Sequence, residues 1–185
     1  MREIPIIITG GGSVGLTLAA ELGWRGISCF VAEKSSVLNP HPRANAVANR
    51  TMEYYRRWGI AEAITNAGVP PDHLADYYWV SSLHGRELHR ISLPPYKKIK
   101  EVHDTSGYVK EEHTWSPYLK TITGQNEVER VLLDYVQTLE DVDFRFNYEL
   151  IDHEQDDKGV ICELKDLTTN KTTEMSCEYL LACDG

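Results

Sequence analysis

The sequence predicts an α/β fold: a Rossmann-like βαβ sheet, extended by an antiparallel β-meander and accompanied by part of a second β-sheet. Three observations carry this reading. Residues 4–9, Ile-Pro-Ile-Ile-Ile-Thr, form an unbroken apolar run that enters Gly10-Gly11-Gly12-Ser13-Val14-Gly15 and then a Leu- and Ala-rich segment. Residues 148–178 divide into short strand-like runs separated by polar turns. Residues 179–183, Tyr-Leu-Leu-Ala-Cys, form a second apolar run ahead of Asp184-Gly185. Short continuous apolar runs bounded by turn formers suit strands buried on both faces, as in a parallel sheet.

Taken in order, residues 4–9 give the first strand, and Leu16 to Arg25 give a helix stopped by Gly26. Residues 28–33, Ser-Cys-Phe-Val-Ala-Glu, give a second strand ending on an acid. Strand, glycine turn, helix and strand thus occupy about 30 residues, the size of a βαβ unit. Residues 34–45, with Pro40 and Pro42, read as a loop; helices follow from about Ala46 to Trp58 and from Ile60 to Ala67. Residues 76–83 and 86–93 flank His84-Gly85 as a hairpin. Residues 94–124, rich in Pro, Lys and Gly, read as long loops.

A strong helix comes next. Val128, Val131, Leu132, Tyr135, Val136 and Leu139 fall on one apolar stripe, and Asn126 and Glu129 have the spacing of a capping box with Asn126 as the cap. Residues 143–146 suggest a short strand. Residues 148–155, 159–167 and 172–178 suggest three antiparallel strands, and 179–183 a separate buried one. An ending on a buried strand and a turn predicts a truncated chain, the N-terminal part of something longer.

Composition narrows the function. In 185 residues, 42% are apolar and 25% charged, which supports a core and excludes general disorder. A net charge of −9 disfavours nucleic acid or an anionic membrane as the main partner. No apolar run approaches the ~20 residues a membrane-spanning helix needs, and no signal-peptide pattern opens the chain, so a cytoplasmic protein is expected. Cys29, Cys162, Cys177 and Cys183 have no metal-ligand spacing and read as small buried apolar residues; no metal site and no histidine-based catalytic group is expected.

The chemistry lies at the glycine turn. Gly10, Gly12 and Gly15 match G-x-G-x-x-G, in which the first glycine permits the turn, the second lets backbone approach a pyrophosphate, and the third lets helix pack on strand. Amides at the helix start would then face phosphate, with Ser13 adding a hydroxyl donor. Glu33 closes the second strand 21 residues after Gly12, where a carboxylate accepts from ribose hydroxyls. Together these predict an adenine dinucleotide site, which could serve FAD or NAD.

Other segments bear on that choice. Pro42-Arg43-Ala44, the helix ending Arg57-Trp58-Gly59-Ile60, Gln125-Asn126-Glu127-Val128-Glu129, and Leu180-Leu181-Ala182-Cys183-Asp184-Gly185 occur in this order. This pattern resembles the aromatic-ring flavin monooxygenases of the para-hydroxybenzoate hydroxylase and phenol hydroxylase type. The resemblance covers nearly the whole chain. It implies FAD as cofactor, NADPH or NADH as reductant, and hydroxylation of a small aromatic substrate with O2. It also implies that Gly10, Gly12, Ser13 and Gly15 hold the pyrophosphate and Glu33 the adenosine ribose. Arg43 would approach the flavin side. Gln125 would lie near the ribityl or ribose region, and Asp184 near the pyrophosphate. A solvated loop charge at Arg43, a polar helix start at Gln125 and a simple turn at Asp184 are the structural alternatives.

The expected organisation is a discontinuous, incomplete FAD-binding domain from 1–75 and 125–185, with 76–124 as part of a substrate-binding domain. Tyr77, Tyr78, Trp79, Trp115 and Tyr118 are candidates for an aromatic pocket lining, with strand core as the alternative. The family's second flavin motif, a Gly-Asp segment, does not occur in these residues. A non-catalytic nucleotide-binding fragment that needs its C-terminal half or a partner chain therefore stays open, as does an NAD-dependent dehydrogenase. The oligomeric state is open, a homodimer included.

Overall fold

A computed structural model describes residues 2–70, 72–73, 76–92, 95, 116 and 120–185. Strand β1, Arg2–Thr9, leads through the glycine turn into helix α1, Ser13–Trp24, and then β2, Cys29–Glu33. Helices α2, Asn49–Arg57, and α3, Ala61–Asn66, precede the hairpin of β3, Tyr77–Val80, and β4, Glu87–Ile91. Helix α4, Gln125–Val136, is followed by β5, Val142–Phe146, β6, Tyr148–Asp156, β7, Gly159–Asp166, and β8, Lys171–Ala182.

Six strands make one sheet in the order β5-β2-β1-β8-β7-β6. The β5, β2, β1 and β8 pairings are parallel, whereas β7 pairs antiparallel with both β8 and β6. After the first βαβ unit the sheet thus turns to an antiparallel meander, unlike a dehydrogenase built from repeated βαβ units. Ile4, Ile7, Phe30 and Ala32 pack with Val160, Cys162, Leu164, Met175 and Cys177 in one buried cluster. The buried Leu16, Ala19 and Ala20 of α1 belong to the helical layer, to which α4 adds Leu132 and Val136, both fully buried.

Three expectations change. Residues 172–178 and 179–183 are not separate strands; they are one strand, β8, whose Lys171–Cys177 part pairs with β7 and whose Met175–Ala182 part pairs with β1. Asn126 does not cap α4. Gly124 is its N-cap with no side-chain cap bond, and Asn126 Nδ2 donates to Glu127 Oε1 at 3.2 Å. Cys29, Cys162 and Cys177 are buried as expected, but Cys183 is only half-buried.

The chain divides into two compact units, Met1–Ala44 with Gly124–Gly185, and Asn45–Thr123. Residues 45–75, expected with the first, group with the second by compactness. Within the second unit Thr123 Oγ1 donates to the Ile64 carbonyl at 3.0 Å, and Val47 bridges Thr121. On the hairpin, Tyr78 pairs across with Arg90, whose guanidinium lies 4.3 Å from the ring centroid, and Trp79 pairs with His89. Tyr77, Tyr78 and Trp79 are each about half exposed. Trp115 and Tyr118 lie outside the described residues. Among the described residues no helix is long and apolar enough to cross a membrane, and no group of three or more acids, histidines and cysteines could hold a metal.

Candidate functional site

A cavity of about 420 Å³ opens in the first unit, where β1 gives way to α1. Its shape follows from local geometry. Gly10 sits at φ +94°, a conformation that favours glycine, and a Cβ there would meet the Cys183 carbonyl oxygen at 2.5 Å. At Gly15 a Cβ would collide with the Gly10 carbonyl oxygen, so α1 can start this close to β1 only without a side chain. Gly12 differs. Its backbone, φ −76° and ψ −169°, suits any residue, and a Cβ would meet only Glu129 Oε1, at 3.7 Å. Its lack of a side chain leaves open space beside the turn.

Gly10, Gly12, Ser13, Glu33, Arg43, Gln125 and Asp184 all line this cavity. Gly15 stands behind them as the packing contact. Glu33 ends β2 with its carboxylate turned to the glycine turn: Gly11 N–H donates to Oε2 at 2.5 Å, and Ser35 N–H donates to Oε1 at 2.7 Å. Arg43 reaches the cavity from the exposed loop before α2. The Gln125 amide nitrogen of the backbone donates to the Ala44 carbonyl at 2.8 Å, tying the start of α4 to that loop. Asp184 follows β8, whose continuation is fixed by the Cys183 N–H donating to the Thr9 carbonyl at 2.7 Å. The neighbouring Cys183 thiol is raised above its ordinary pKa by burial and then by the Asp184 charge, which disfavours a reactive thiolate.

Ser13 is placed where the motif puts it, but its polar groups are engaged. Its backbone N–H donates to Glu129 Oε1 at 3.0 Å and its hydroxyl to the same oxygen at 2.8 Å. The expected hydroxyl donor is therefore directed at Glu129. This acid, 4% exposed, also accepts from Gln125 Nε2 at 2.7 Å. Sequence reasoning placed Glu129 in a capping box and in the family-like segment from Gln125 to Glu129, but gave it no role in the site. The available signal was its position one turn after Gln125, which puts both on one helix face. Tyr148, Glu149 and Leu150 of β6 also line the cavity and carry no sequence mark.

Comparison with known proteins gives this site its context. A model of the FAD binding domain matches residues 3–185. The phenol 2-monooxygenase of a Pseudomonas species is 27% identical over 99% of this chain and 29% of its own length. Among solved structures, the flavin-dependent monooxygenase PieE in complex with FAD and substrate superposes with a TM-score of 0.88, at 27% identity, over 99% of this chain and 30% of that one. The rebeccamycin biosynthetic enzyme RebC with reduced flavin gives 0.83 at 34% identity, over 100% and 32%. The chain spans about a third of the length of these relatives. Since the family match runs from β1 through β8 and takes in every residue of the cavity wall, the chain belongs to the FAD-binding domain family, together with FAD-dependent monooxygenases and hydroxylases.

Proposed function

We propose that the cavity in the first unit holds FAD and that the whole protein hydroxylates a small, phenolic aromatic substrate with NAD(P)H and O2 in the cytoplasm. In this reading residues 1–75 and 125–185 serve FAD binding and 76–124 contribute to the substrate side, with Tyr77, Tyr78 and Trp79 as candidate aromatic contacts. The observation that carries it is Gly12. Its backbone does not require glycine, yet a larger side chain would fill the space at the turn. That space suits a diphosphate brought close to main-chain amides.

The other wall residues fit the same group. Gly10 and Gly15 keep strand and helix close enough to form the turn. Glu33, fixed through both oxygens by main-chain amides, retains lone pairs for ribose hydroxyls. Arg43 offers a fixed fork of donors to phosphate or ribityl oxygens, and Gln125 a polar amide to the sugar or ribityl region. Asp184 stands beside the pyrophosphate end. When bound, FAD would supply the redox chemistry of a hydroxylation that uses NAD(P)H and O2 and releases water. The protein's part is to bind, orient and keep water from the reacting atoms; no side-chain nucleophile is needed.

Titration of FAD with the chain, followed by quenching of flavin fluorescence, tests the reading. Saturable one-to-one binding is expected. Glu33→Arg should weaken it by about ten- to a hundredfold, the loss of one or two hydrogen bonds to a charged acceptor, and should admit 2′-phosphorylated nucleotides. Absence of saturable binding, or an unchanged affinity and preference in the variant, overturns it.

A further inference from the structure

We infer that Glu129 is a positioning residue of the cofactor pocket: it fixes Ser13 and Gln125 so that this wall presents their acceptor oxygens to sugar or polyol hydroxyls. The inference rests on the FAD reading and assigns one wall of that site.

Three donors meet at one oxygen. Ser13 N–H, Ser13 Oγ–H and Gln125 Nε2–H all point to Glu129 Oε1, at 3.0, 2.8 and 2.7 Å. All three belong to residues of the cavity wall, and Glu129, although only 4% exposed, lines the same cavity. A carboxylate has no proton to give, so the Gln125 side chain must turn its nitrogen toward Glu129, which leaves its carbonyl oxygen on the other side of the amide. The Ser13 hydroxyl has likewise committed its proton and keeps only lone pairs for another partner. Ligand hydroxyls can donate to such oxygens. The cationic Arg43 on the same cavity can pair with phosphate.

The test is a double-mutant cycle on FAD affinity, with Glu129→Gln and Gln125→Ala singly and together. Glu129→Gln keeps the shape but can donate as well as accept, so it no longer fixes the Gln125 amide. Each single variant should bind FAD about tenfold more weakly, and the double variant should fall well short of the ~100-fold product, because Glu129 acts through Gln125. Losses that multiply, or a Glu129→Gln variant that binds FAD as well as or better than the parent, overturn the inference while leaving the cofactor reading intact. Failure of the parent chain to bind FAD overturns both. The thermal midpoint of each cofactor-free variant separates a purely structural role, which would show its coupling there and not in affinity. Should Glu129→Gln fail to fold, Gln125→Glu serves instead. It sets a second carboxylate against Glu129 and should weaken FAD more than Gln125→Ala does; an equal or smaller loss overturns the inference.

Discussion

Gly12 and Gly15 stand three residues apart and are glycines for different reasons. A Cβ on Gly15 collides with the Gly10 carbonyl, so the cost falls on folding. A Cβ on Gly12 meets little of the protein, so the cost falls on whatever enters the cavity. Gly15→Val should therefore destabilise by roughly 2 kcal/mol or more, as overpacking against main chain does, and urea denaturation reads this directly. Gly12→Val should denature within about 0.5 kcal/mol of the parent yet bind FAD at least about tenfold more weakly. Glu129 also acts on stability at this scale. Its carboxylate at the start of α1 complements the helix dipole, an effect worth up to about 2 kcal/mol where partly buried.

Among the elements, α4 joins the helical layer to the site. Its buried stripe includes Leu132, fully enclosed, while Gln125 and Glu129 face the cavity side. Leu132→Ala should cost about 2–5 kcal/mol in urea denaturation, because removing a buried side chain loses its transfer energy and leaves a void. Much of this layer was legible in the sequence. The apolar run of residues 4–9 marked β1, the stripe from Val128 to Val136 marked α4, and three spaced glycines marked the turn. The cap on α4 was not legible, since Asn126 and Glu129 satisfy a local pattern but Ser13, 116 residues distant in sequence, takes the carboxylate. The division of β8 failed for a related reason. Its polar-alternating half lies beside antiparallel β7 and its apolar half beside parallel β1, so the sequence pattern changes where the partner changes, while the strand continues. Of the site, the glycines, Glu33, Arg43, Gln125 and Asp184 could be named from motifs. Tyr148 and Leu150 could not, because only the tertiary fold brings β6 to the cavity.

Across the whole molecule, burial of the thiols sets an alkaline limit on stability. Burial, with Asp141 nearby, pushes Cys29 up to about 11, and burial, with Cys177 nearby, pushes Cys162 up to about 12. In the unfolded chain these thiols ionise near their ordinary value, so the folded state binds more protons above about pH 9. Stability is fully present below that pH and is lost as pH rises through the folded values. The thermal midpoint should fall by several degrees between pH 9 and 11, and Cys29→Ala with Cys162→Ala should flatten that slope whatever their effect at neutral pH.

The register Arg2↔Met175 through Thr9↔Ala182 has a consequence for biosynthesis. Arg2 finds its strand partner only after Met175 has been made, and the turn at Gly10 is not backed by Cys183 until later still. A ribosome-bound nascent chain can form α1 and pair β1 with β2 early, but its nucleotide cradle stays open until synthesis has passed that point. Arrested translation intermediates that expose residues 2–150 should therefore fail to retain FAD, and capture should begin only once residue 183 has cleared the exit tunnel.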